Sequence, residues 1–291
     1  MNKTRAYNSL WMVVAGLLFA LMGTIVKIGA ERFSFVELVF YRSLFGFLAI
    51  LLAMFWRPQA LATPYWKLQL SRGVSGFIAL MLFFYAIANL PLAAAVTLNY
   101  TSPIFLAIYM MLMLRTRIPP VLGLAIVTGF VGVVLLLGAH RHIPSLAAAL
   151  PGLLSGMVAG LAYLQVSELG KKGEPEWRTV FYFTLVSLTG SGLWAATSQF
   201  HILQWHDIPL LLGLGASATA AQLAMTRAYR KGETLLSGSL AYSTVVFACL
   251  FDIFLWHETL SVVNMFGIVM IVGGGLVSIH ATASRVAQPV P

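Results

Sequence analysis

Charge is what this sequence has least of. Only 9% of its 291 residues are Asp, Glu, Lys or Arg, and 59% are hydrophobic. A soluble domain carries about 25% charged residues, so a water-soluble fold could not cover its surface here. Cysteine occurs once, at Cys249. One thiol excludes an internal disulfide and a cysteine-held metal cluster, and it reads as a small apolar packing residue. Runs of about ten alternating polar and apolar residues, the mark of a membrane β-barrel, are missing. Nucleotide and zinc motifs are incomplete. LGKKG lacks the first glycine of a phosphate loop and no Ser or Thr follows its lysines, while HETLS has Ser261 where a zinc protease needs a second histidine. No metal, no cofactor and no ATPase subunit are therefore expected.

What is there is hydrocarbon, in runs of about 20 residues, the length of helix that crosses a core about 30 Å thick. Ten runs can be drawn: 8–30, 34–56, 69–90, 92–114, 119–138, 148–169, 178–197, 208–229, 233–256 and 260–280. The expected fold class is all-α and integral to the membrane, with ten transmembrane helices. The first run has no small-residue cleavage site and nine others follow, so it is expected to be a span and not a signal peptide. Of the 18 Lys and Arg, 14 fall on the side of the N-terminus in this topology, Arg72 counted with the loop before the third span. Three (Lys27, Arg32 and Arg141) fall on the other, and Arg42 lies within a span. That bias puts both termini in the cytoplasm, in a bacterial inner membrane. The net charge of +9 is then topology, and no nucleic-acid partner is implied.

One apolar run holds the stretch TLNYTSPIF, Thr97 to Phe105, and a counterpart, SLAYSTVVF, recurs at Ser239 to Phe247. The offset of 142 aligns Leu98 with Leu240, Tyr100 with Tyr242 and Phe105 with Phe247, and recurs in Ala86 with Ala228 and Gly132 with Gly274. VFY at Val39–Tyr41 recurs at Val180–Tyr182 with an offset of 141. Residues 1–143 and 144–291 are therefore expected to be two five-helix repeats. Five is odd, so the second enters the membrane upside down. An inverted pair meets at a central site and rocks about it, as in secondary transporters. Tyr100 and Tyr242 are expected to line that site together with Asn99, Thr101 and Ser243. A phenol offers an apolar face and a hydrogen-bonding tip, which suits an amino acid or aromatic metabolite. Alanine at either tyrosine is expected to weaken binding and leave thermal unfolding nearly unchanged. Pro103 removes a backbone hydrogen bond and should kink the fourth span. Val245 replaces it in the second copy, so no kink is expected there.

The second copy, AYSTVVFACLFDIFLWHETLSVVNMFGIVMIVGGG, and the first, NYTSPIFLAIYMMLMLRTRIPPVLGLAIVTGFVG, resemble the EamA-type transporters of the drug/metabolite transporter superfamily. The likeness rests on a hydroxyl-rich fourth and ninth span, an acidic turn at Glu258 and a glycine-bearing last span. Thr116 stands where the first copy's acidic residue is usual. Arg42 in YRSLFGFLAILL matches an arginine often found in the second span. The resemblance implies export or exchange of small metabolites, YddG-like exporters of aromatic amino acids being a near type.

Ionisable groups inside spans mark function by default. Arg42 is the deepest and Glu37 lies on a different face, so a substrate carboxylate or a gating role is expected of it, with an ion pair to another helix or snorkelling as the other readings. Gln165 and Gln222 are candidate substrate contacts, with interhelical bonding as the other reading. Asp252 is a candidate for proton coupling and, with Pro103 and Glu258, for gating. His140, His142, His201 and His206 are expected to be solvated in outer loops. Gly152, Gly156 and Gly160, four residues apart, should make a smooth packing face. The function expected is secondary transport of amino acids, aromatic or neutral, or drug-like compounds, by alternating access about the midplane. The partners are a small-molecule substrate and the lipid bilayer, with the chain a monomer or homodimer. A channel, a lipid or nucleotide-sugar exchanger and a membrane enzyme stay open as alternatives.

Overall fold

The computed structural model describes residues 3–56, 60–90, 92–137, 146–195, 200–256 and 261–284. Among them every regular element is helical. Leu, Ala and Met favour helix, and in lipid a helix satisfies its backbone within one segment. In chain order the helices are α1 (Lys3–Ser9), α2 (Trp11–Gly29), α3 (Phe35–Trp56), α4 (Trp66–Asn89), α5 (Leu92–Asn99), α6 (Ser102–Met113) and α7 (Pro120–Leu137). Then come α8 (Leu146–Lys171), α9 (Glu176–Ala195), α10 (Ile208–Lys231), α11 (Thr234–Leu240), α12 (Ser243–Trp256) and α13 (Val262–Ser284). A short 3₁₀ turn, Trp205–Asp207, leads into α10.

Among the described residues, eight segments are long and apolar enough to cross a membrane. The apolar stretch of α7 is shorter, Pro120–Leu135. Serines, threonines and glycines dilute the hydropathy of α9, although its 20 residues span about 30 Å.

Helix starts repeat along the chain at a nearly constant offset. It is 141 from Phe35 to Glu176 and from Ser102 to Ser243. From Trp66 to Ile208, from Leu92 to Thr234 and from Pro120 to Val262 it is 142. Packing repeats too. The α2–α10 contact is matched by α8–α4, α2–α12 by α8–α6, and α3–α10 by α9–α4. The α3–α9 and α7–α13 contacts are their own counterparts under that exchange.

The kink expected of Pro103 is present, and the straight counterpart is not. Two residues, Tyr100 and Thr101, separate α5 from α6, and Ala241 and Tyr242 separate α11 from α12. In each break the ladder tightens to i→i−3 bonds: Thr101 N–H to the Leu98 carbonyl at 3.2 Å, and Val245 N–H to the Tyr242 carbonyl at 3.0 Å. A break of this kind thus does not require proline. At the second break Ser243 and Tyr242 press into the surfaces left bare by Gly16 and Gly129.

Glycine sets the closest helix approaches. A methyl on Gly152, Gly156 or Gly160 of α8 would collide with Leu98, with Thr101 and with the Ser102 carbonyl, so these three form the face that holds the broken α5–α6 span. At the α7–α13 crossing Gly132 lies against the Gly267 carbonyl and Gly274 against that of Ala125.

Candidate substrate site

The bundle's interior carries a polar seam that begins on α10. Thr219, Gln222, Thr226 and Tyr229 recur at three- and four-residue spacing, which places them on one helix face. Gln222, Thr226 and Tyr229 are at most 5% exposed. The Gln222 amide nitrogen, the Thr226 hydroxyl and the Tyr229 hydroxyl have no hydrogen-bonding partner among the described groups. On α4 a second stripe, Gln69, Arg72 and Ser75, follows the same spacing and is buried.

Arg42 on α3 is 7% exposed and lines a small cavity with Ser43, Phe183, Thr184, Ala218, Thr219 and Gln222. Its volume of about 10 Å³ is the room of one water molecule. Arg72 is 2% exposed, and its guanidinium lies 4.8 Å from the centre of the Phe183 ring. Its Nε and Nη1 have no hydrogen-bonding partner among the described groups. A methyl on Gly76 would collide with this guanidinium, so the glycine makes room for it. Tyr163 of α8 lies beside Arg72 and stacks on Tyr229, with ring centroids 5.0 Å apart and planes 15° apart. The seam therefore closes through five helices: α3, α4, α8, α9 and α10.

The two broken spans reach it from the other side. The Tyr100 and Tyr242 rings are 6.3 Å apart. The Tyr100 hydroxyl faces Thr244. Tyr242 is fully buried, packed against Val133, Val245 and Ile271, and its hydroxyl has no partner among the described groups. The tyrosines do meet, as their repeat implies. An alanine at Tyr242 would nonetheless open a cavity in a packed cluster, so unchanged thermal unfolding is not expected of that variant.

The other candidates divide. Gln222 joins Arg42 at the cavity. Gln165 bonds Ser71 at 2.9 Å and Ser75 at 2.7 Å, tying α8 to α4. Asn99 donates to Ser155 at 3.0 Å, and Thr101 to the Leu98 carbonyl at 2.6 Å. The Ser243 hydroxyl is buried without a described partner, against Gly16. Pro103 sits in the first turn of α6, where its missing N–H is tolerated. Asp252 lies on α12; its side chain and the whole of Glu258 fall outside the described residues, as do His140 and His142.

Sequence reasoning missed Arg72, Tyr163, Phe183, Thr226 and Tyr229. Arg72 is no loop residue. It lies six positions into α4, which begins at Trp66, and is turned inward. The three- and four-residue spacing of both stripes was the available signal.

The carboxylates whose side chains are described lie toward the helix ends. On one face Glu37 accepts from the His201 backbone at 2.6 Å and its Nδ1 at 3.0 Å, and caps α3 through Ser34. Arg32 pairs with Asp207 at 3.1 Å, beside His206 at 3.4 Å from the same carboxylate. His201 and His206 are exposed, as expected, but each also faces a carboxylate, because the segment carrying them docks on the α2–α3 turn. Toward the other face Glu174 accepts from Thr63 at 2.6 Å, Gln69 at 2.8 Å and Arg178 at 3.1 Å. Burial opposes its ionisation, but these hydrogen bonds and the Arg178 charge outweigh it and hold the carboxyl below its usual range. Glu176 pairs with Arg230 at 2.7 Å and Glu168 with Lys171 at 2.7 Å. Among the described residues, no carboxylate pairs with Arg42 or Arg72.

Apolar helices of membrane-crossing length around a buried, cationic seam define a multi-pass membrane protein. The chain belongs to the EamA-like transporter family, whose model matches it twice, over residues 7–138 and 146–279. It is similar to an uncharacterized transporter of Helicobacter pylori, 28% identical over 95% of each chain. It is 29% identical to the pseudopaline exporter CntI of Pseudomonas aeruginosa, over 89% of this chain and 91% of that one. A riboflavin transporter of Rhizobium johnstonii is 28% identical over 78% of this chain and 75% of its own. One crystal structure, 19% identical, covers 98% of this chain and 100% of its own with a TM-score of 0.80, and so shares the fold.

Proposed function

We propose that the protein is a secondary transporter that moves small organic metabolites bearing a carboxylate, amino acids among them, by alternating access about the central seam. In this reading residues 1–143 and 144–291 are two inverted five-helix repeats, giving ten spans with both termini cytoplasmic in a bacterial inner membrane. The observation that carries it is the pair of helix breaks, at Tyr100–Thr101 and Ala241–Tyr242, whose tyrosines touch in the bundle's interior. Interrupted spans at matching positions of two halves are the strongest pointer to a transporter site. The doubled family match, the repeating helix starts and the mirrored packing support the same reading. Relatives named for pseudopaline export and for riboflavin transport support an organic solute over an ion.

Counterflow in proteoliposomes tests it. Vesicles preloaded with an amino-acid mixture should take up labelled amino acid faster than empty ones, because a carrier returns more quickly when loaded. Uptake indifferent to preloading would point to a channel and sink the carrier reading.

A further inference from the structure

Two guanidinium groups in one bundle core, neither paired with a described carboxylate, demand an anion. Arg42 on α3 and Arg72 on α4 come from two helices that both pack on α9, and they meet at one of its residues. Phe183 lines the Arg42 cavity and lies under the Arg72 guanidinium at 4.8 Å. Each arginine is more than nine-tenths buried. Around them the Gln222 amide nitrogen and Arg72 Nε and Nη1 are buried donors without described acceptors. A buried charge left unpaired is strongly unfavourable, and a buried donor left unmade loses its hydration for nothing. Structural glue would show these groups bonded to neighbouring helices, as Gln165 is to Ser71 and Ser75. They are not bonded to any described group, and Gly76 keeps space open for one of them.

We infer that the solute carries at least two carboxylates, one received by Arg42 and the other by Arg72, with its carbon chain against Phe183. This rests on the transporter reading and narrows its substrate class from carboxylates in general to di- and polycarboxylates. Two separate acid groups fit better than one phosphoryl group, because the arginines stand on different helices with an aromatic ring in common. The small cavity at Arg42 means that the site must widen to admit the solute.

The test uses the full-length protein in lipid nanodiscs, with calorimetric binding of glutarate, glutamate, citrate, glutamine, leucine and glycerol 3-phosphate, and counterflow of labelled glutamate in proteoliposomes. Glutamate and glutarate should bind at least about tenfold more tightly than glutamine and leucine. Arg42→Gln and Arg72→Gln should each reduce the glutamate-to-glutamine preference about 10- to 100-fold, the weight of one charge-assisted hydrogen bond. Gly76→Ala, which keeps both charges but crowds Arg72, should reduce it as well. Should a variant misfold, the wild-type series decides alone. Equal affinity for glutamate and glutamine, no binding of any dicarboxylate, or glycerol 3-phosphate matching glutarate would overturn the inference. Counterflow of glutamine or leucine without that preference overturns it and leaves the transporter reading standing. Dicarboxylate binding without counterflow upholds it and removes the transporter reading.

Discussion

The two central tyrosines should respond with opposite signs to loss of their hydroxyls. Tyr242 is fully buried and its hydroxyl has no described partner, whereas Tyr100 is only partly buried and its hydroxyl faces Thr244. Leaving a buried hydroxyl unsatisfied costs about 1–3 kcal/mol, while a made hydrogen bond contributes about 0.5–1.5 kcal/mol. Tyr242→Phe should therefore stabilise the solute-free protein by about 1–2 kcal/mol, part of the upper figure being lost to relaxation around the unbonded group. Tyr100→Phe should destabilise it, by up to about 1.5 kcal/mol, because the hydroxyl's polar interaction with Thr244 is lost. Tyr242→Ala calibrates the scale. Removing the ring from the cluster of Val133, Val245 and Ile271 should cost about 3–5 kcal/mol. Detergent-titrated unfolding of purified, solute-free protein, followed by tryptophan fluorescence, reads all three. The same Tyr242→Phe protein should bind solute more weakly, since the hydroxyl spends the empty state waiting for an acceptor. If both phenylalanine variants shift stability in the same direction, the hydroxyl of Tyr242 is satisfied and the reasoning fails.

Other consequences are open to measurement. Glu174 carries a carboxyl held below its ordinary value of 4.5, so its hydrogen bonds stabilise the fold fully above that pH and lose their effect as pH falls through the depressed value. Glu174→Gln should flatten the acid limb of thermal stability below about pH 4.5, and an unchanged limb would show that other carboxylates set it. Gly156→Val should drive side-chain carbon into Thr101 and the Leu98 carbonyl, costing about 1–3 kcal/mol of thermal stability; a neutral result would mean that the two helices separate easily. On a Cys249→Ser background, cysteines at the exposed Lys172 and Asn89 should label from opposite sides of the membrane. Labelling from one side would break the inverted topology.

The repeat made the site legible. Tyr100 and Tyr242 were findable because a tyrosine recurred at the repeat offset in matching polar surroundings, and the rings do meet. Arg42 was findable from depth alone. Arg72 was not, because hydropathy placed the span's start at Gln69, near enough for a basic residue to look interfacial. The helix begins at Trp66, which carries Arg72 nearly two turns inward. The break at Ala241–Tyr242 was invisible for a different reason. No proline marks it, and the surfaces it packs against, Gly16 and Gly129, belong to distant helices. Composition on one segment cannot reveal a neighbour's missing side chain. Hydropathy drew α9 as a span but could not show which of its polar residues turn inward: Thr179, Thr184, Ser187 and Ser191 are buried with Phe183, whereas Thr189 is exposed.

The crossing of α7 and α13 has the form of an interface in a two-fold dimer: Gly132 meets Gly267 as Gly274 meets Ala125, each partner being the other's counterpart in the repeat. Such contacts are isologous. A true homodimer must carry every substitution twice, once on each side of its axis. Two halves joined in one chain are free of that obligation. Arg42 has Phe183 as its counterpart in the second copy, at an offset of 141, and both line the same cavity. Arg72 answers to Leu214, and Pro103 to Val245, at an offset of 142. The backbone keeps its dyad while the charge does not. Covalent linkage thus lets a symmetric scaffold keep an asymmetric interior, with one cation facing an aromatic ring where a dimer would have set two cations against each other.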